Sequence, residues 1–342
     1  MCNNLIDDLK SKKIIEFKTN NVVLKEKSDE PISISSSKGE MIDDENYIKA
    51  KFMGNHMELC YIRTVPTEMP IERIDENTYL IKSTNQIKEY KKSKTRDEQV
   101  KSLKRTFKKL RELINTNFHG LPNEKFVTLT YKKKQRDHEQ VYTDFKVWIK
   151  EVRRKYGACD YINVVEPQAS GSWHCHVLIK FYELENNYLD YNEFRKLWKH
   201  GVFVNVRVLT DCDNIGAYLS AYLTDIELTD KTLKKAQKDM SVIEVNEKLV
   251  DGEKKSFIKG GRMSYYPNKM NLYRRSRGIK DPFVSVGKKG DLILDDYEFK
   301  HSNKLDLMKK DEVVNTIHYE SYVKKGHKKN LTNDGNHESK IS

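Results

Sequence analysis

The ten residues from Ser172 to Phe181 constrain this chain more than any other stretch. Trp173, Cys175, Val177, Ile179 and Phe181 alternate with His174, His176, Leu178 and Lys180. Alternate side chains of a β-strand share a face, so the pattern predicts a strand with one wholly apolar face, which must sit on a core. The other face carries two imidazoles, roughly 6.5–7 Å apart along the strand. Neutral imidazole is the commonest protein metal ligand, and an H-x-H pair on one strand face can share one ion without bending the backbone. Two structural histidines would leave the same pattern, so the surrounding sequence has to discriminate.

The 342 residues suffice for one large domain or two modest ones, and a third of them are charged. The formal net charge of +12 points towards a polyanionic partner such as nucleic acid. Met1–Asp8 carries acids and no apolar run, unlike a secretory signal. No apolar stretch approaches the roughly 20 residues needed to cross a bilayer, so no membrane association is expected. The five cysteines are scattered without a C-x-x-C pair, which fits reduced cytoplasmic thiols better than a disulfide framework or structural zinc.

Read in order, the chain divides into five parts. Residues 1–45 are polar, with Ser33–Gly39 as a flexible segment and room for one short hairpin. Residues 46–120 form an accessory region with strand-like pieces and a strong amphipathic helix. Thr95-Arg96-Asp97-Glu98 has the form of a capping box. Val100, Leu103, Phe107, Leu110 and Ile114 then make one apolar stripe. The opposite face carries Lys101, Lys104, Arg105, Lys108, Lys109 and Arg111. One-signed charge there suits either a solvated helix face or a phosphate-facing one, with Lys104 and Lys108 as DNA-contacting candidates.

Residues 121–228 read as an α+β unit in the order β-α-β-β-α-β-α, implying a mostly antiparallel sheet with flanking helices. Its pieces are the 126–131 strand, a 138–156 helix stopped by Gly157, the 161–166 strand, the histidine strand, a helix opened by Asp190, the 202–209 strand and a 213–224 helix. Residues 229–297 form a basic, aromatic extension. Its first part, 228–258, reads as charged helix. Tyr265, Tyr266 and Tyr273 interleaved with Arg274, Arg275 and Arg277 then suit base stacking and phosphate pairing. Residues 298–342 are polar and read as a disordered tail.

Two features lie close to the histidines. Glu166 ends the preceding strand, across a short turn, and becomes a third ligand if the hairpin register turns it to the histidine face. Two imidazoles and a carboxylate with open positions suit a divalent ion that also grips a phosphate oxygen. Tyr218 and Tyr222 sit at i and i+4, one turn apart on a helix. They are either two core tyrosines or phenols placed to attack a phosphodiester.

Together, Phe126–Tyr131, Glu166 with His174-Cys175-His176, and Tyr218-Leu219-Ser220-Ala221-Tyr222 resemble the three motifs of HUH endonucleases. They resemble most closely the rolling-circle replication initiators of bacterial plasmids and filamentous-type phages. The resemblance implies an HUH/RRM-like antiparallel sheet with the histidines on a central strand, plus N- and C-terminal extensions. It implies Mg²⁺ or Mn²⁺ on His174, His176 and Glu166, and Tyr218 as nucleophile, with Tyr222 as a second. The substrate would be single-stranded or hairpin origin DNA, and the partners a host helicase and polymerase in a bacterial cytoplasm. The sequence departs from the family where a lysine usually follows each tyrosine by three residues. Ala221 and Asp225 stand there, and Lys180 is the candidate substitute.

Relaxases and single-strand transposases share this chemistry. From another class, a non-catalytic RRM-like module would need aromatics on the exposed sheet face, where this strand has histidines. A zinc hydrolase would want a third histidine or H-E-x-x-H, and neither is present.

Overall fold

The alternation that predicts the histidine strand is realised as Trp173–Phe181, the middle strand of a five-stranded sheet. The computed structural model describes residues 14–16, 33–65, 69–90, 100–168, 171–184, 188–201, 204–208, 216, 225–239, 242–250, 253–262, 265–267 and 270–326, a few of them by backbone alone. The architecture is α+β. Four antiparallel sheets and four α-helices are present among the described residues. The sheet order is Val204–Val208, Glu124–Leu129, Trp173–Phe181, Cys159–Pro167, Tyr273–Arg275, and every pairing is antiparallel. The β-α-β-β-α-β order of the core is therefore present. The expected 213–224 helix lies outside the described residues except at Gly216, which is helical.

The apolar face of this sheet is sealed by the helix His138–Tyr156. Asp137 caps it by accepting a hydrogen bond from the Glu139 amide at 2.9 Å. Gly157 ends it at φ 78, where an L side chain would be strained. The helix buries Val141, Phe145, Trp148, Ile149 and Val152 on one stripe, against Cys175, Val177 and Ile179. Burying side chains of this size contributes about 1.5–3 kcal/mol each, and this layer holds the histidine strand rigid.

The helix Val100–Asn117 corrects the reading of residues 46–120 as an accessory region. Its stripe of Phe107, Leu110, Leu113 and Ile114 belongs to the same hydrophobic cluster as the sheet. Its charged face is also not a free phosphate surface. Arg111 pairs with Glu58 at 2.5 Å, Lys109 with Asp281 at 2.5 Å, and the Lys108 ammonium lies over the Tyr319 ring at 5.6 Å. Three of the six cations on this helix are thus engaged by the protein itself.

Glu58 and Tyr319 belong to a six-stranded sheet ordered Phe283–Lys288, Tyr47–Met53, His56–Ile62, Glu312–Lys324, Tyr297–Lys309, Ser33–Lys38. This sheet overturns two expectations. Residues 298–324 are not a disordered tail but a long hairpin, and Ser33–Lys38 is not a flexible segment but an edge strand on Asn303–Met308. The buried positions of the hairpin's second strand are Thr316, His318, Glu320, Tyr322 and Val323. Most are polar, so hydrophobic periodicity gave no signal. They are satisfied internally: Glu320 accepts from Lys289 Nζ at 3.2 Å and Tyr322 Oη at 2.7 Å, and His318 Nε2 donates to the Glu40 carbonyl at 3.0 Å.

The charged 228–258 segment is only partly helical. After Asp230–Asp239 come the strands Val242–Val250 and Glu253–Ile258, paired as a hairpin in a four-stranded sheet. Ile243 and Val245 face its small core. A three-stranded meander, Ile71–Arg73, Thr78–Ile81 and Gln86–Glu89, completes the sheets. No helix among the described residues is long and apolar enough to cross a membrane.

Candidate active site

Register answers the question the sequence left open. His174 pairs directly with Glu166 across the two central strands, and His176 with Val164 on one side and Thr128 on the other. Directly paired residues point to the same face. Glu166, His174, His176 and Thr128 therefore share one face of the sheet.

On that face, the Glu166 carboxylate reaches diagonally to His176, and Oε2 meets Nε2. Glu166 Oε2 is buried and makes no hydrogen bond of ordinary geometry. His176 Nδ1 lies 3.2 Å from Thr128 Oγ1, which turns Nε2 to the carboxylate. Its ring stacks on Phe126, with centroids 5.6 Å apart and planes 7° from parallel. His176 and Glu166 are buried, whereas His174 is half-buried, its ring centroid 6.4 Å from that of His176. Burial and the neighbouring imidazole push the His174 pKa down to about 4, so this ring is neutral, with a lone pair available, at neutral pH. Burial alone would raise the Glu166 pKa, but His176 and then Arg262 outweigh it and hold the carboxyl below its usual range.

These residues fit a divalent ion in donor type and orientation. A buried carboxylate oxygen and an imidazole nitrogen converge on one point, the second imidazole nitrogen is held from behind by a hydroxyl, and a neutral histidine stands beside them. Among the described residues no three His, Cys, Asp or Glu side chains are gathered as a complete ligand set. His174 must turn towards the other two to share an ion with them.

The remaining candidates separate. Lys180 shares the histidine face but lies at the far end of the strand, its Nζ 3.3 Å from the buried Glu124. Glu124 in turn accepts the amides of His119, Gly120 and Leu121. Lys180 therefore anchors a turn and is not directed at the site. Arg274 stacks over the Tyr142 ring at 3.5 Å, and Arg275 is held by Asp281 at 3.0 Å. Arg277 lines a cleft of about 490 Å³ with Arg153, Tyr161, Arg275 and Ser276. The Lys104 side chain and all of Tyr218 and Tyr222 lie outside the described residues. Tyr266 is described, but burial and then Glu166 raise its phenol well above the ordinary range, which unsuits it as a nucleophile.

Sequence reasoning missed Arg262. Its guanidinium meets Glu166 Oε1 and donates to the carbonyls of Asp225 and Pro167. The only signal was Gly260-Gly261 just before it. Gly260 has φ 66, and a Cβ on Gly261 would stand 2.7 Å from Ile226 Cγ2.

Residues 124–227 match the family model of replication-associated proteins of the ORF2 type. That segment holds four of the five sheet strands, both histidines, Glu166 and both candidate tyrosines. The match supports a replication-initiator role. No curated protein and no solved structure matches the chain.

Proposed function

We propose that this chain is a rolling-circle replication initiator of the HUH type, which nicks and rejoins single-stranded origin DNA in a bacterial cytoplasm. One observation carries the chemical reading: the meeting of Glu166 Oε2 and His176 Nε2 beside His174 on one sheet face, inside the segment that matches the replication-associated family.

The ion this donor set suits, Mg²⁺ or Mn²⁺, would supply Lewis-acid polarisation of a scissile phosphate. The protein's own part begins with capture of the strand by cationic side chains, a salt-sensitive step. Arg277 and Arg153, which line the open cleft, are the described candidates. Glu166, His174 and His176 fix the position of the reacting phosphate. Tyr218 Oη attacks the phosphorus and loses its proton. The P–O3′ bond breaks, the 3′ oxygen leaves as a hydroxyl after taking up a proton, and the 5′ phosphate stays esterified to the tyrosine. The free 3′ end then primes synthesis by a host helicase and polymerase. Attack by that or another 3′ hydroxyl on the phosphotyrosine rejoins DNA, and Tyr222 provides a second nucleophile for the closing cut.

A purely DNA-binding module is disfavoured. The histidine face presents a carboxylate–imidazole pair, and its one flanking aromatic, Phe126, is stacked on His176 instead of being offered to bases.

The test is a denaturing gel. End-labelled single strands from the element's own origin are incubated with the protein and Mn²⁺, alongside Tyr218→Phe and Tyr222→Phe. Label that stays with the protein through denaturation, and is lost in Tyr218→Phe, is the expected result. Salt-sensitive binding with no covalent adduct on verified origin DNA would leave the binding-module reading in its place.

A further inference from the structure

Arg262 follows a hairpin outside the family-matched segment, yet its guanidinium ends inside the candidate active site. It does three things there. Nη1 meets Glu166 Oε1, the carboxylate oxygen turned away from His176. Nη1 also lies 3.2 Å from the Pro167 carbonyl, at the end of the same strand. Nε and Nη2 reach the Asp225 carbonyl at 3.1 and 3.0 Å. Asp225 is the third residue after Tyr222, and its buried side chain accepts the Gly260 amide at 3.0 Å. The loop that carries Arg262 and the end of the tyrosine-bearing segment are thus tied to each other, and both are tied to Glu166.

The guanidinium is planar and donates in fixed directions. Two of its contacts are to carbonyls on different elements, so it is oriented before it meets the carboxylate. That fixes the Glu166 carboxylate with Oε2 towards His176. The Arg262 and Glu166 side chains are only 14% and 6% exposed, so water cannot substitute for the contact.

We propose that Arg262 is a positioning residue for the metal centre, holding the Glu166 carboxylate in its ligating orientation from a loop outside the family-matched segment. This rests on the metal-site reading given under Proposed function. Loss of an outer partner of a ligand typically weakens metal binding about ten- to a hundredfold.

Mn²⁺ binding to the full chain, followed by electron paramagnetic resonance without DNA, tests it. Wild type, His176→Ala, Arg262→Gln and Arg262→Lys are compared, each with a melting curve. Wild type is expected to bind Mn²⁺ and His176→Ala to lose it. Arg262→Gln should bind about tenfold more weakly or worse. Arg262→Lys keeps the charge but has one nitrogen for three partners, and should fall between them. If Arg262→Gln does not fold, Arg262→Lys settles the matter alone: affinity equal to wild type overturns the proposal. So does Arg262→Gln binding as tightly as wild type, or more tightly. If wild type itself binds no Mn²⁺, or His176→Ala binds as well as wild type, the metal-site reading fails and this inference with it.

Discussion

At the scale of single residues, the site depends on how each donor is held from behind. Thr128 Oγ1 at His176 Nδ1 selects the tautomer that leaves Nε2 facing Glu166. Thr128→Val is close in volume and keeps the strand, but removes that acceptor. Its expected effect is Mn²⁺ affinity about tenfold weaker with a melting temperature within a few degrees of wild type. Calorimetric titration and a thermal scan measure the two, and unchanged affinity would remove the hydroxyl's role. The H-x-H pair was legible in sequence because its period is that of a strand. The diagonal reach of Glu166 was not, because a one-residue slip of the hairpin would have turned it to the other face.

At the scale of elements, helices with clear apolar periodicity were read well, and polar strands were not. The helix His138–Tyr156 has the ends and buried stripe its sequence implies. The Glu312–Lys324 strand alternates in burial but fills its inner positions with Thr316, His318 and Glu320, so composition argued for a tail. Its hairpin turns at Lys310 and Asp311, both at positive φ of 50 and 63, as in the two-residue turns that match strand twist. A β-branched residue is strained there. Lys310→Val is expected to lower stability by about 1–2 kcal/mol, read from urea unfolding followed by tryptophan fluorescence. Unfolding at the wild-type midpoint would show that the turn is not tight.

At the scale of the whole molecule, the edge strand Tyr273–Arg275 joins the C-terminal extension to the core, and Asp160 fastens that junction. Its carboxylate accepts from Ser276 Oγ at 2.7 Å, Tyr182 Oη at 2.8 Å and the Gly278 amide at 3.2 Å. Partial burial would raise its pKa, but these hydrogen bonds outweigh it and hold the group below its ordinary value. A depressed folded-state pKa gives stability that is present above the unfolded value, about 3.9, and lost as pH falls through the folded one. The wild-type melting temperature should therefore fall more steeply below about pH 4 than that of Asp160→Asn. Parallel acid limbs would show that the junction does not depend on this charge. The net charge of +12 overstates the free cationic surface, since Lys109, Arg111 and Arg275 are paired with carboxylates.

The sequence by itself determined the strand–helix order of residues 124–208 and the two-histidine face, because periodicity and caps are local properties. Tertiary structure alone decided that the Val100–Asn117 helix is part of the core, that residues 297–324 are sheet, and that Glu166 meets His176. It alone brought Arg262 to that carboxylate from a distant part of the chain. Such contacts depend on strand register and on packing between distant segments, and no local pattern of residues encodes either.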